Sequence, residues 1–145
     1  MNILVSACLL GVKCRYDGND NKSDIIIKLI SRGYNIIPVC PEQLGGLTTP
    51  RKPAEIINGR VINIDNEDVT ENFIKGADEV LKLSKLYSVE LAILKEKSPS
   101  CGFGEIYDGT FSKILIKGNG ICADLLSNNN VKIIGECKIK EYFEL

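Results

Sequence analysis

The run Asn2-Ile3-Leu4-Val5-Ser6-Ala7-Cys8 is a short apolar stretch of β type that ends on a cysteine. Residues 22–32 follow with Ile25, Ile26, Leu29 and Ile30 on one face of a helix, and Gly33 stands where that helix should stop. Asn35-Ile36-Ile37-Pro38-Val39 then reads as a second strand, and Cys40 follows it directly. Strand, helix and strand in this order imply two parallel strands joined by a helical crossover. The alternation continues downstream. A long helix is expected over about 67–87, with Val69, Phe73, Ala77, Val80 and Leu81 as its apolar stripe. Asp65 or Asn66 is placed to cap it, with Glu67 and Asp68 in its first turn. Leu91-Ala92-Ile93-Leu94 is the next strand, and a short helix near 120–127 and a strand at 131–135 close the pattern. Between these elements, residues 41–54 hold Gly45-Gly46 and three prolines and read as an irregular loop. Asn58-Gly59, flanked by Glu55-Ile56-Ile57 and Arg60-Val61-Ile62, signals a two-residue hairpin. The expected fold is a single α/β domain over residues 1–145, Rossmann-like, with a mainly parallel β-sheet flanked by helices and a small β-hairpin.

Composition narrows the function. With 44% hydrophobic and 26% charged residues, the chain has the make-up of a globular protein. Its net charge of −1 argues against a non-specific nucleic-acid binder. No apolar run approaches the length of a membrane span, and the first residues read as a strand and not as a signal peptide. A cytoplasmic, reducing location is expected, in which the six cysteines would serve as thiols, thiolates or metal ligands. Histidine is absent, which removes Cys–His and Ser–His catalysis and every His-containing metal site.

The placing of the cysteines carries more than their number. Cys8, Cys40 and Cys101 each lie just after a predicted strand or in the loop leaving one. In a parallel sheet the carboxyl ends of the strands share one edge, where ligands bind. Three cysteines far apart in sequence are therefore expected to meet there. A thiolate set without histidine suits zinc or an iron–sulfur cluster, and three thiolates on a four-iron cluster leave one iron open. Cys14 reads as a fourth ligand, a neighbouring thiol or a local structural residue. Cys122 and Cys137 read more simply as small buried hydrophobes, although Cys137 also follows a strand and its position alone would admit it as a ligand.

Ser6-Ala7-Cys8-Leu9-Leu10-Gly11 and Cys14-Arg15-Tyr16-Asp17-Gly18 resemble the opening of the thiouracil desulfidase family. The later segments agree with it: Val39-Cys40-Pro41-Glu42, Gly45-Gly46-Leu47 with Thr49-Pro50-Arg51, and Ser98-Pro99-Ser100-Cys101-Gly102. The resemblance implies a [4Fe–4S] cluster on Cys8, Cys40 and Cys101, and removal of sulfur from a thiolated pyrimidine such as thiouracil. It matches Glu42 to the family's acidic residue and Ser98 to its first motif serine. Cys122 departs from the pattern.

On this resemblance a non-redox reaction is expected. The open iron would act as Lewis acid and sulfur acceptor, Glu42 as general base toward water, and Ser98 as orienting or relaying group. Gly11 and Gly102 are expected to bring backbone N–H groups near the cluster. Ser6, Arg15, Asp17, Arg51, Lys97 and Ser100 are candidates for the surroundings of the substrate. An ion pair with Asp17 or Glu42 is the simpler role for either arginine. The expected partner is a small thiolated base, with no extended nucleic acid and no membrane. Aerobic purification is expected to leave the site without its cluster or with zinc in its place. Competing readings are a non-catalytic zinc or iron–sulfur sensor, an enzyme acting on thiolated RNA or another thioamide, and a thiol redox protein. The last would lack the usual CxxC pair.

Overall fold

A computed structural model describes residues 1–145. The first crossover is as expected: β1 (Asn2–Ser6), helix α1 (Asp24–Ser31) and β2 (Asn35–Val39). Gly33, at φ 89°, takes the left-handed turn after α1 that only glycine adopts without strain. Beyond β2 the chain departs from the expected irregular loop and makes a helical turn, α2 (Pro41–Leu44). Proline at its first position costs no hydrogen bond there.

The hairpin follows as β3 (Ala54–Ile57) and β4 (Arg60–Asn63), antiparallel, with Asn58 and Gly59 both at positive φ. The long helix α3 runs Thr70–Leu86, so it begins later than its charge pattern predicts. Residues 67–69 instead extend alongside β4. The Val69 N–H donates to the Val61 carbonyl, and Asn63 Oδ1 accepts from the Asp65 and Glu67 amides. Asp68 then takes the cap-like role, accepting from the Thr70 N–H at 2.9 Å.

The chain continues through β5 (Leu91–Leu94) into a second hairpin, β6 (Glu105–Tyr107) with β7 (Leu115–Lys117). It ends with α4 (Ile121–Asn128), β8 (Lys132–Gly135) and α5 (Ile139–Phe143). The second hairpin and α5 were not read from the sequence. Their elements are only three and five residues long, too short for periodicity to register.

The main sheet has the order β2-β1-β5-β8, with every pair parallel. Strand alternation feeds two cores. Leu4, Ala92, Leu94 and Ile133 face α3 and α4, while Ile3, Val5, Leu91, Ile93 and Ile134 face α1 and α5. Each large aliphatic side chain so buried contributes roughly 1.5–3 kcal/mol. The chain leaves β1 toward β2 on one side and later returns to β5 on the other. That reversal opens a crevice at the carboxyl ends of β1 and β5. No helix is long and apolar enough to cross a membrane.

Candidate active site

A cavity of about 540 Å³ occupies this crevice and is lined by Cys8, Cys14, Cys40 and Cys101. Each cysteine arrives on a different piece of fixed backbone. Cys8 lies in a single 3-10 turn, Ala7–Leu10, immediately after β1, and its carbonyl accepts from the amides of Gly11 and Asn21. Cys40 ends β2 and opens α2. Cys101 sits in a tight turn in which the Ser98 hydroxyl accepts from the Cys101 N–H at 2.7 Å.

That last turn is clamped to the start of α4. The amides of Ile121 and Cys122 donate to the carbonyls of Pro99 and Ser100 at 2.8 and 2.9 Å. Gly120 makes the approach possible, since a Cβ there would lie 2.5 Å from the Ser100 carbonyl carbon. A second close approach fixes the Cys40 turn. Cβ atoms on Gly45 and Gly76 would meet the carbonyl oxygens of Asn72 and Pro41 at 2.0 and 1.8 Å, so α2 rests backbone-to-backbone on α3. Gly76 and Gly120 were missed by sequence reasoning. A glycine inside an apolar helical stripe is the signal that could have found Gly76.

The thiols form a graded set. Cys14, 2% exposed and with its carbonyl oxygen 3.8 Å from the Cys40 sulfur, shares its one thiol proton between the sulfurs of Cys8 and Cys40. That donation lowers Cys8 to about 7 against burial, with help from Asn21 and Lys95. It lowers Cys40 to about 6, again against burial, with help from the Gln43 N–H, which faces it without closing a full cap, and from Arg51. Cys14 itself is raised, because its proton is the one being shared. Burial pushes Cys101 up to about 12, although Ser6 and Ser100 hydrogen-bond to it. Cys122, on the inner face of α4, is wholly buried in the core, and desolvation raises it well above the ordinary thiol range. Cys137 is exposed, unlike the expected buried residue, and its thiol donates to Glu96 at 3.0 Å.

Glu42 projects from α2 into the same cavity. Arg51 donates through Nε to Glu42 Oε1 at 3.0 Å, and Ser100 donates through its hydroxyl to Oε2 at 2.7 Å. Arg51 also reaches the Cys14 carbonyl at 2.8 Å, which ties the Cys14 loop to the Cys40 turn. Arg15 pairs with Asp17 at 3.0 Å. Both arginines thus make the ion pairs considered for them. Ser98 stands one hydroxyl further from the carboxylate, 3.2 Å from Ser100. Ser6 accepts from the Lys95 amide at 2.9 Å, and Lys95 pairs with Glu136. Lys97 lines the cavity. The amides expected near a cluster are already used: Gly102 donates to the Ser98 carbonyl and Gly11 to the Cys8 carbonyl. Short turns close their own hydrogen bonds before any ligand is met.

The donor set fits an iron–sulfur cluster. Soft thiols approach from separate strand ends into one cavity, and two of them are acidified.

Comparison with known proteins agrees with this geometry. The family model described as 2-thiouracil desulfurase matches residues 3–138. The uncharacterized protein YbbK of Bacillus subtilis (strain 168) is 42% identical, over 96% of this chain and 98% of its own length. Among solved structures, the [4Fe-4S]-dependent thiouracil desulfidase TudS superposes with a TM-score of 0.91 at 39% identity. That match covers 97% of this chain and 93% of that one.

Proposed function

The chain belongs to the 2-thiouracil desulfurase family, and on that premise we propose that it removes sulfur from a thiolated pyrimidine with the help of a [4Fe–4S] cluster. The observation that carries this reading is the meeting of Cys8, Cys40 and Cys101 with Glu42 on one cavity. Those three cysteines would hold the cluster. When bound, it would supply an open iron as a Lewis acid and sulfur acceptor toward the thiocarbonyl, a role that needs no change of oxidation state.

The remaining work falls to the protein. Glu42 is the general base that takes a proton from the attacking water, which adds to the thiocarbonyl carbon. Arg51 and Ser100 hold one oxygen each, so the carboxylate has a fixed direction and keeps further lone pairs for the water. Ser100 has one proton, and its bond to Glu42 at 2.7 Å is far shorter than its contact with the Cys101 sulfur at 3.7 Å, so the carboxylate holds it. In the contact between the two serines Ser98 is therefore the donor. Ser98, Ser100 and Glu42 form a hydrogen-bonded chain along the cavity wall, with Ser98 as the member furthest from the carboxylate. Collapse of the adduct breaks the carbon–sulfur bond and leaves a carbonyl on the base, with the sulfur departing as sulfide and the protons of the water accounting for its charge, so the overall balance is a hydrolysis.

The test is anaerobic reconstitution with iron and sulfide, followed by incubation with 2- and 4-thiouracil. Release of uracil by the reconstituted protein is expected. A loaded cluster with no uracil formed from either compound would overturn the assignment of substrate.

A further inference from the structure

The wall of the cavity facing away from the main sheet comes from the two hairpins, and one side chain joins them. Glu55, on β3, accepts through Oε1 from the amides of Gly109 and Phe111 at 3.0 and 3.1 Å. These amides belong to the turn between β6 and β7. Gly109 packs so closely there that a Cβ would lie 2.8 Å from Ile57 Cβ. Within that turn Phe111 and Lys113 have φ values of 56° and 60°. Neither residue is one that tolerates the left-handed region easily, so the turn needs support from its surroundings. The Glu55 carboxylate supplies such support by binding two of its amides.

The consequence is on the cavity side. Tyr107, Phe111 and Lys113 all line the cavity that holds the thiols and Glu42. Tyr16, also on its wall, is covered by the Arg15 guanidinium 5.7 Å from the ring centre. The ring–ring contacts of the molecule lie elsewhere, among Tyr34, Tyr142 and Phe143. Phe111 lines the cavity and has no ring–ring partner.

We propose that the turn Asp108–Lys113 is the specificity wall of the site: Phe111 offers its ring to a planar heteroaromatic substrate, and Glu55 is the positioning residue that holds it there. The proposal rests on the desulfidase reading for its substrate, while its geometry stands apart from the thiols. It gives Glu55, which touches no reacting atom, control over substrate affinity.

The test pairs Phe111→Ala and Glu55→Ala with Phe111→Tyr, which keeps a ring. In anaerobically reconstituted protein, Phe111→Ala should raise KM for 4-thiouracil about tenfold, in the range that stacking one base on a side chain provides. Its kcat and cluster absorbance should stay unchanged, and Phe111→Tyr should restore KM. Glu55→Ala, which removes the acceptor of both turn amides, should raise KM similarly, and the double variant should show no further rise, because both changes remove the same wall. A KM within twofold of the parent in Phe111→Ala, or additive effects in the double variant, would overturn the proposal. Uracil binding, followed by saturation-transfer NMR on the same samples, separates the two readings. If the parent binds uracil and Phe111→Ala does not, the wall stands even where no desulfuration occurs. Equal binding by parent and variant, or none by the parent, sinks it.

Discussion

The two walls of the cavity are built by different means. The inner wall consists of turns that leave β1, β2 and β5, and its Ser6, Cys14, Ser100 and Cys101 are all under 5% exposed. The outer wall consists of two-stranded hairpins, held to each other in part by one carboxylate, and it leaves Ile64 and Ile114 more than half exposed. Inner residues inherit their positions from a sheet packed on both faces. Outer residues depend on a few polar contacts. Chemistry that needs thiols and a carboxylate in register belongs on the first kind of wall, and substrate fit can vary on the second.

This contrast can be broken by experiment. The largest effects should come from the inner wall. Replacing Cys101 by Ala should abolish iron uptake, measured as iron per protein after anaerobic reconstitution. Glu42→Gln should lower desulfuration by at least about 100-fold, as loss of a general base does, while leaving cluster absorbance intact. Loss of both activity and absorbance in Glu42→Gln would recast Glu42 as a strut for the Cys40 turn.

Next in size is Gly76→Ala. Its new methyl would meet the Pro41 carbonyl and push α2 off α3. A cost of about 3 kcal/mol is expected, visible as a fall in Tm on the order of 10 °C. An unchanged Tm would show that α2 can move and that the inner wall is softer than argued.

A pH experiment reads the thiols directly. In metal-free protein the thiolate is the nucleophile, so alkylation by iodoacetamide should rise with pH through each folded-state value. Cys40 should turn on near pH 6 and Cys8 near pH 7, while Cys101 stays unreactive until pH nears 12. Mass spectrometry of the labelled peptides assigns the sites. Replacing Cys14 by Ala should move the first two midpoints upward, because the hydrogen bond that favours their charged forms is gone.

The smallest effect belongs to the outer wall. Ile116→Lys on β7, at a position 45% exposed, should change stability by no more than about 0.5 kcal/mol in denaturant unfolding. A much larger loss would mean that the hairpins are integral to the core and that the contrast between the walls fails.

The parallel sheet, the hairpin at Asn58-Gly59 and the arrival of Cys8, Cys40 and Cys101 at one edge were legible in the amino-acid order. Each rests on local signals: apolar runs, turn residues, and the rule that parallel strands end together. The motif residues Glu42 and Ser98 were also visible, through the resemblance they carry.

What the order of residues could not decide is which atoms face each other across loops. Ser98 and Ser100 are equivalent as letters, yet only the folded turn commits Ser98 to the Cys101 amide and brings Ser100 to Glu42. Gly76 reads as a flaw in an amphipathic helix until α2 is laid across it. Glu55 reads as an ordinary strand carboxylate until a turn more than fifty residues away donates two amides to it. Local propensity acts over a few bonds, whereas hydrogen bonds and van der Waals contact are set by distance in space. Pairings between remote segments therefore exist only once the sheet and its helices have closed.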